Sequence, residues 1–523
     1  MRALTAHDLK AMLADAHELA LIDLREELIF AERHLLWARS VPLSRLELNF
    51  PRLVPRLSTR IVLCDDADGL AERAAVVLAR AGYADLSYLD GGVAAWAAAR
   101  LEVFSGVNVP SKAFGEFVEH ANATPSISAG ELDRLMRERA DLVVLDSRPF
   151  DEYRRVSIPT ATNVPGAELV LRVRDLAPSP ATLVVVNCAG RTRSIIGAQS
   201  LINAGLPNKV VALRNGTMGW ALAGLACDSG RQRRASAISD DALTWAQAAA
   251  QRVARRFAIE RIDLATLERW RADRERTLYL FDVRDPTEYL AGHVAGAISA
   301  PGGQLVQATD QYVGTLRSRI VLVDDAEVRA VMTASWLRQM GYADVFVLAE
   351  RGTATGSPTN SILGTPTPPQ DLIECAELSA LLARNEAAVI DLSLSREYRK
   401  AHIPGAWFAI RSRLARAVQR IERQGELVLT SEDGILAGLA VPEARSLAGG
   451  PVRALRGGNA AWQAAGLPLP DDARMADEPV DLWLKPYERS GDTAGAMSEY
   501  LSWETDLLAR IERDGSCNFL SAP

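Results

Sequence analysis

The sequence predicts an α/β protein of four tandem domains, each a parallel sheet flanked by helices, followed by a helical C-terminal tail. Three observations carry that prediction. The 523 residues suffice for several domains of ordinary size. One pattern of strand, loop, strand, helix and strand recurs four times along the chain. The recurring strands are short unbroken runs of Val, Ile and Leu, as expected of strands buried on both faces.

Taken in order, the first copy reads LALID ending at Asp23, RIVLCDD, VVLARAGY and LDGGVAAW. The second reads LVVLDSR, TLVVVNCAGRTRS, QSLINAGL and LRNGTMGW. The third reads LYLFDVR, RIVLVDD, SWLRQMGY and VFVLAERG, and the fourth AVIDLS, ELVLTSEDG, a Gly/Ala-rich helix and LRGGNAAW. These place domains at 1–105, 126–230, 260–355 and 370–470, with a tail at 471–523. The stretch Pro110 to Pro125 reads as a linker, a helical stretch around Trp245 to Phe257 as a bridge, and TATGSPTNSILGTPTPP as a flexible connection. In the tail, Tyr500, Leu501, Trp503, Leu507, Leu508 and Ile511 fall at helical spacing, a stripe suited to docking on a neighbouring domain or subunit.

Bulk properties narrow the function. Hydrophobic residues make up 48% and charged residues 24% of the chain, an ordinary globular balance. A net charge of -7 and a pI near 5.6 argue against general binding to nucleic acid or anionic membranes. The N-terminus lacks the pattern of a secretory signal, and no apolar run approaches the ~20 residues of a membrane span. Cys64, Cys188, Cys227, Cys375 and Cys517 are scattered without a C-x-x-C pair, so neither a disulfide framework nor a metal site is expected. The expected location is a reducing cytoplasm, where a functional cysteine acts through its thiolate.

The chemistry concentrates in copy two. There the strand TLVVVN delivers Cys188, followed by Ala189, Gly190, Arg191, Thr192, Arg193 and Ser194, and a helix then begins. A cysteine in a tight turn at a helix N-terminus lies where backbone N–H groups converge, and those donors favour a thiolate. They would equally hold the outer sulfur of a persulfide or the charged end of a sulfur donor. Gly190 makes room for the turn.

These residues resemble the rhodanese family. The match rests on the C-x-x-x-x-R-S loop from Cys188 to Ser194, on Asp146 and Arg148 after the preceding strand, and on R-N-G-x-x-x-W from Arg214 to Trp220. Fainter marks are GHVAGA at 292–297 and AHIPGA at 401–406. The resemblance implies four rhodanese-like domains and sulfane-sulfur transfer through a Cys188 persulfide, with the Ala189–Ser194 loop as substrate cradle and no cofactor. Implied partners are small sulfur donors, thiol acceptors and a sulfur-relay protein. Related phosphatases carry a loop one residue longer, which disfavours phosphate-ester hydrolysis here. A departure is that glycine stands two places after the cysteine rather than three.

The copies also act as internal controls. Helix-end glycines Gly82, Gly205 and Gly341 set Asp65 and Asp324 opposite Cys188, and copy four offers Ser431 or Glu432, so three copies are expected to be degenerate. Asp23, Asp282 and Asp391 repeat Asp146, Arg25 and Arg284 repeat Arg148, and Trp96 and Trp462 repeat Trp220, so these types are expected to serve the fold. Arg191, Thr192, Arg193 and Ser194 are read as belonging to the cysteine-bearing copy alone. His293 and His402 stand in copies with no cysteine in the place of Cys188, and Cys64 and Cys375 read as core residues. The alternative to an enzyme is a sulfur carrier or scaffold that binds partners without fast turnover.

Overall fold

The computed structural model describes residues 1–356, 361–421, 425–470 and 472–521. It contains four parallel sheets in sequence, one for each repeat. In the second, Ser126–Ile127, Val210–Leu213, Leu183–Asn187, Leu142–Asp146 and Thr162–Asn163 lie side by side in that order. The central pair runs in register with Asp146 beside Asn187. The other sheets repeat the order, which sets Cys64, Val323 and Thr430 where Asn187 stands. Each strand end thus hands its next residue, Asp65, Cys188, Asp324 or Ser431, to the start of a helix. The alignment made from the helix-end glycines holds.

The fourth sheet has a sixth strand, Arg474–Met475, drawn from the tail and paired with Trp407–Phe408. Val184, Val185 and Val186 are fully buried, as strands covered by helices on both faces require. Domains two and three share one continuous hydrophobic core. Trp336 donates its indole N–H to Ser200 at 2.8 Å, and Arg329 pairs with Glu168 at 2.9 Å. Domains one and four meet through the corresponding segments, with Arg411 on Glu47 at 2.8 Å and Glu26 accepting from Ser44 and Ser412.

One connection differs from expectation. The Pro110–Pro125 stretch is largely a helix, Val109–Asn122, and most of its first two turns are buried. Proline in a first turn starts a helix rather than interrupting one, and Val109, Ala113, Phe114 and Val118 form its apolar face. The bridge helix, Asp240–Arg256, packs Ala246, Ala249, Ala250 and Val253 into the shared core of domains two and three. Of the connection before domain four, residues 357–360 lie outside the described residues, while Leu363 packs on domain one and donates to Glu47. The tail stripe docks as expected. The helix Thr493–Asp514 sets Leu507 and Ile511 against Leu36, Phe104 and Val109, and Leu501 against Met218.

Candidate active site

Cys188 follows a strand of Leu-Val-Val-Val-Asn and precedes the helix Thr192–Asn203. It is 2% exposed. Its thiol lies 3.5 Å from the Ser194 hydroxyl, which itself donates to the Arg191 carbonyl at 2.7 Å. The loop is propped from behind. Thr217 donates to the Cys188 carbonyl from its backbone N–H at 2.8 Å and its hydroxyl at 3.0 Å, and Met218 N–H donates to Ala189 at 2.9 Å. Asn187 ties this prop to Asp146, donating to its carboxylate at 3.0 Å and to Thr217 Oγ1 at 3.1 Å. Gly216 makes the close approach possible. Its φ is +54°, and a Cβ there would stand 2.4 Å from the Cys188 oxygen.

Gly190 serves a different need. A Cβ there would meet Met218 Cε at 2.9 Å and Glu504 Oε2 at 3.0 Å, so its missing side chain admits the tail helix rather than an unusual backbone angle. Met218, Met497 and Leu501 form a small apolar cluster beside the loop, flanked by Tyr487 and Tyr500. Glu504 is fully buried. Its Oε1 is 2.8 Å from Lys112 and accepts from Tyr500 at 3.2 Å.

The loop side chains divide sharply. Arg191, expected to orient an anionic donor, turns to the helix Val109–Asn122. It grips both oxygens of Glu116 at 2.7 Å, a carboxylate oxygen of Glu119, and Asn215 at 3.2 Å. Its charge is spent on two carboxylates, which corrects the expectation. Thr192 packs against Gly115 on the same helix. Arg193 is 8% exposed, pairs with Glu152 at 2.9 Å and 3.2 Å, touches Gln304 of domain three at 3.1 Å, and lies within the field of the Cys188 sulfur. Its arginines hold the Glu152 carboxyl well below its ordinary range, with Lys485 helping. Arg193 is not confined to the cysteine copy. Arg329 stands five places after Asp324 as Arg193 stands after Cys188, and it pairs with Glu288, the counterpart of Glu152.

The other three domains show what stands in the place of Cys188. Asp65 accepts from the backbone N–H groups of Ala67 at 2.9 Å and Ala71 at 3.0 Å. Asp324 accepts from Ala326 at 3.2 Å, Arg329 at 2.7 Å and Ala330 at 3.3 Å. Ser431 accepts from Ala437 at 3.3 Å. The matching positions in domain two are Gly190 and Ser194.

The remaining residues fall as the copies imply. Arg25, Arg148 and Arg284 pair with Asp23, Asp146 and Asp282 at 2.6 to 2.7 Å, and Ser393 N–H replaces the arginine on Asp391. Trp96, Trp220 and Trp462 are buried, each donating to a backbone carbonyl six residues on. His293 and His402 stack on Tyr289 and Tyr398. Burial pushes the thiols of Cys64, Cys227, Cys375 and Cys517 upward. Sequence reasoning missed Glu152, Thr217, Glu116 and the tail residues Lys485, Tyr487 and Glu504. Only Glu152, repeated as Glu288, left a signal to find.

Among the described residues, no group of His, Cys, Asp and Glu side chains is placed to hold a metal ion, and no helix is long and apolar enough to cross a membrane. The model of the rhodanese-like domain matches residues 5–99, 128–223, 264–350 and 374–465. The crystal structure of thiosulfate sulfurtransferase from Pseudomonas aeruginosa superposes with a TM-score of 0.97 at 48% identity, covering 100% of both chains. Thiosulfate sulfurtransferase of Azotobacter vinelandii is 30% identical over 209 residues, 36% of this chain and 75% of that one. An HTH-type transcriptional regulator of Mycobacterium tuberculosis, Rv0324, is 33% identical over 105 residues, 20% of this chain, and this chain spans 45% of the regulator. With the family model recurring over all four sheets and a full-length relative of the same architecture, the chain belongs to the rhodanese family of sulfurtransferases.

Proposed function

We propose that this enzyme moves sulfane sulfur through a persulfide on Cys188, with the backbone of Ala189 to Ser194 as its cradle. One observation carries the reading. In domains one and three the residue in the place of Cys188 is an aspartate, and its negative oxygens are held by loop and helix N–H groups. A thiolate, or the charged outer sulfur of a persulfide, makes the same demand.

The Cys188 thiolate attacks the outer sulfur of thiosulfate, a polysulfide or a small persulfide. A new S–S bond forms, the donor's bond to that sulfur breaks, and its electron pair leaves with the donor, as sulfite in the case of thiosulfate. An acceptor thiolate, or cyanide, then attacks the outer sulfur and Cys188 departs as thiolate. The Ser194 hydroxyl lies 3.5 Å from the sulfur, and by turning its proton from the Arg191 carbonyl it can donate to the charged form. The catalytic domain is taken as 126–230, with 1–105, 260–355 and 370–470 as degenerate domains and 471–523 as the tail. Five unpaired cysteines support work in a reducing cytoplasm.

Intact-protein mass spectrometry after incubation with thiosulfate or polysulfide tests the reading. The wild type should gain the mass of one sulfur atom and lose it to added thiol, while Cys188→Ser gains none. A Cys188→Ser protein that loads equally refutes it. The burial of Cys188 beneath the tail favours one variant, a carrier whose sulfur is discharged by a protein acceptor. Stable loading that small thiols do not remove would identify that case.

A further inference from the structure

Resting on the sulfur-transfer reading, we propose that Arg148 and Lys485 form a subsite for the anionic head of the sulfur donor, in the space a loop carboxylate fills in the silent domains. The position after the cradle residue is acidic in all three silent domains, as Asp66, Asp325 and Glu432, and is Ala189 in domain two. In domain one, Arg25 binds Asp23 through Nε and Nη2 and turns Nη1 to Asp66 at 3.1 Å. In domain three, Arg284 repeats this, with Nη1 3.6 Å from Asp325. Glu432 of domain four, where Ser393 replaces the arginine, takes Arg45 of domain one instead at 3.0 Å.

Arg148 has the same posture without the acid. Its Nε and Nη2 bind Asp146 at 2.9 Å and 2.7 Å, Nη2 also donates to Val156 at 2.7 Å, and Nη1 has no hydrogen-bond partner among the described residues. The side chain is 1% exposed. By its place on Asp146, Arg148 corresponds to Arg25 and Arg284, whose Nη1 groups face the acid that follows the cradle residue, and an anionic ligand would supply the acceptor that Ala189 does not.

The tail adds the second cation. Lys485 Nζ lies 3.1 Å from Glu152, a carboxylate already held twice by Arg193. Burial and the Arg193 charge push the Lys485 ammonium downward while Glu152 pulls it up, and Tyr487 shares the field of Arg148, Arg193 and Glu152. On the Glu152 side of the cradle stand Arg148, Arg193 and Lys485 with Asp146 and Glu152, while on the other side Glu504 is matched by Lys112 and Arg191 meets Glu116 and Glu119. Domain three has Arg284, Arg329 and Arg351 against Asp282, Glu288, Asp324 and Asp325. On that side domain two has one cation in excess, which domain three lacks, and that excess is Lys485 of the tail. A sulfonate placed on Arg148 Nη1 and Lys485 occupies the site of Asp66 and Asp325, beside the residue that receives sulfur.

Calorimetric titration of thiosulfate into full-length Cys188→Ser protein tests this without turnover. Lys485→Met should weaken binding about ten- to hundredfold, the loss of one charge-assisted hydrogen bond, and Lys485→Arg should restore it to within about threefold. Ala189→Asp should abolish detectable binding, and the fold accommodates it because two sister domains carry that aspartate. Arg148→Met is avoided because it would strand buried Asp146. In the cysteine-bearing enzyme, Lys485→Met should lower kcat/KM for thiosulfate at least tenfold relative to an uncharged organic trisulfide. Unchanged affinity in Lys485→Met and Ala189→Asp, an equal fall with both donors, or no thiosulfate binding by the parent overturns the subsite. Failure of the wild type to gain sulfur from any donor would instead overturn the transfer reading, and the calorimetry would still decide the anion site.

Discussion

Gly216→Ala is the substitution that most directly tests whether the R-N-G turn exists to hold the cysteine loop. The new Cβ would sit 2.4 Å from the Cys188 oxygen and 2.7 Å from the Gly190 oxygen, both rigid backbone atoms. Alanine at a φ of +54° costs about 1–2 kcal/mol by itself. Relieving the contact must also lengthen the Thr217 N–H bond to Cys188, now 2.8 Å, for about 1 kcal/mol more. Together these come to ~2–3 kcal/mol, or roughly a 30- to 150-fold loss of protection at the Thr217 and Met218 amides. Hydrogen exchange reads that loss, and the rate of sulfur loading by mass spectrometry should fall with it. Gly92→Ala is the matched control, since its Cβ would stand 2.3 Å from the Asp65 oxygen at a φ of +61° in domain one. It should loosen the Val93 amide while loading of Cys188 proceeds as in the wild type. Gly224→Ala, with a φ of +73° and open space around it, should lose only the conformational part. Equal slowing of loading by Gly92→Ala and Gly216→Ala would refute the local argument.

Three further outcomes follow from the same geometry. Arg191→Leu strands the buried Glu116 carboxylate and should destabilise the helix Val109–Asn122 by about 3–5 kcal/mol, whereas Arg191→Leu with Glu116→Leu should recover most of that loss by hydrogen exchange and keep the KM for thiosulfate within threefold. Glu26 is pushed up to about 7 by burial at the contact of domains one and four, from an ordinary value of 4.5. The folded protein therefore holds a proton that the unfolded chain releases, so this contact loses on the order of 3 kcal/mol as pH rises from about 4.5 through about 7. Glu26→Gln should flatten that slope in thermal melts taken across the range. Finally, Asp324→Cys should not load sulfur in a Cys188→Ser background, because Asp325 still stands where domain two has Ala189; sulfur gain by mass spectrometry would show that cysteine alone suffices.

The fold was legible because every element repeats. Unbroken Val, Ile and Leu runs announced the sheets, and Gly82, Gly205 and Gly341 fixed the register that sets Asp65 and Asp324 opposite Cys188. The site was legible where its chemistry is local, as with Cys188, Gly190 and Ser194 on one loop. It failed where the partner is distant. Two arginines beside a cysteine read as substrate ligands until Glu116 and Glu119 bring carboxylates to Arg191 from a helix that precedes the domain. That helix was itself missed because its proline invited a linker reading. Lys485, some three hundred residues after Cys188, carries no pattern that ties it to the loop.

The tail explains why such distant pieces are needed. Here the helix Thr493–Asp514 lies against Gly190 and is anchored from behind by the buried Lys112–Glu504 pair, while Lys485 reaches Glu152 from the preceding turn. Each anchor lies in the domain-two neighbourhood, but the strand Arg474–Met475 that begins the tail is fixed to the sheet of domain four. Domain four in turn is clamped to domain one through Glu47 and Glu26, and Val480 of the tail accepts from Leu28 of domain one on the way. The three other domains therefore bear on domain two mechanically: domains one and four set the path of the tail, and domain three supplies Gln304 to Arg193. Asp65 and Asp324 accept from the N–H groups of their own loops and helices, and what these domains contribute to domain two is the placing of the tail helix against the Cys188 loop.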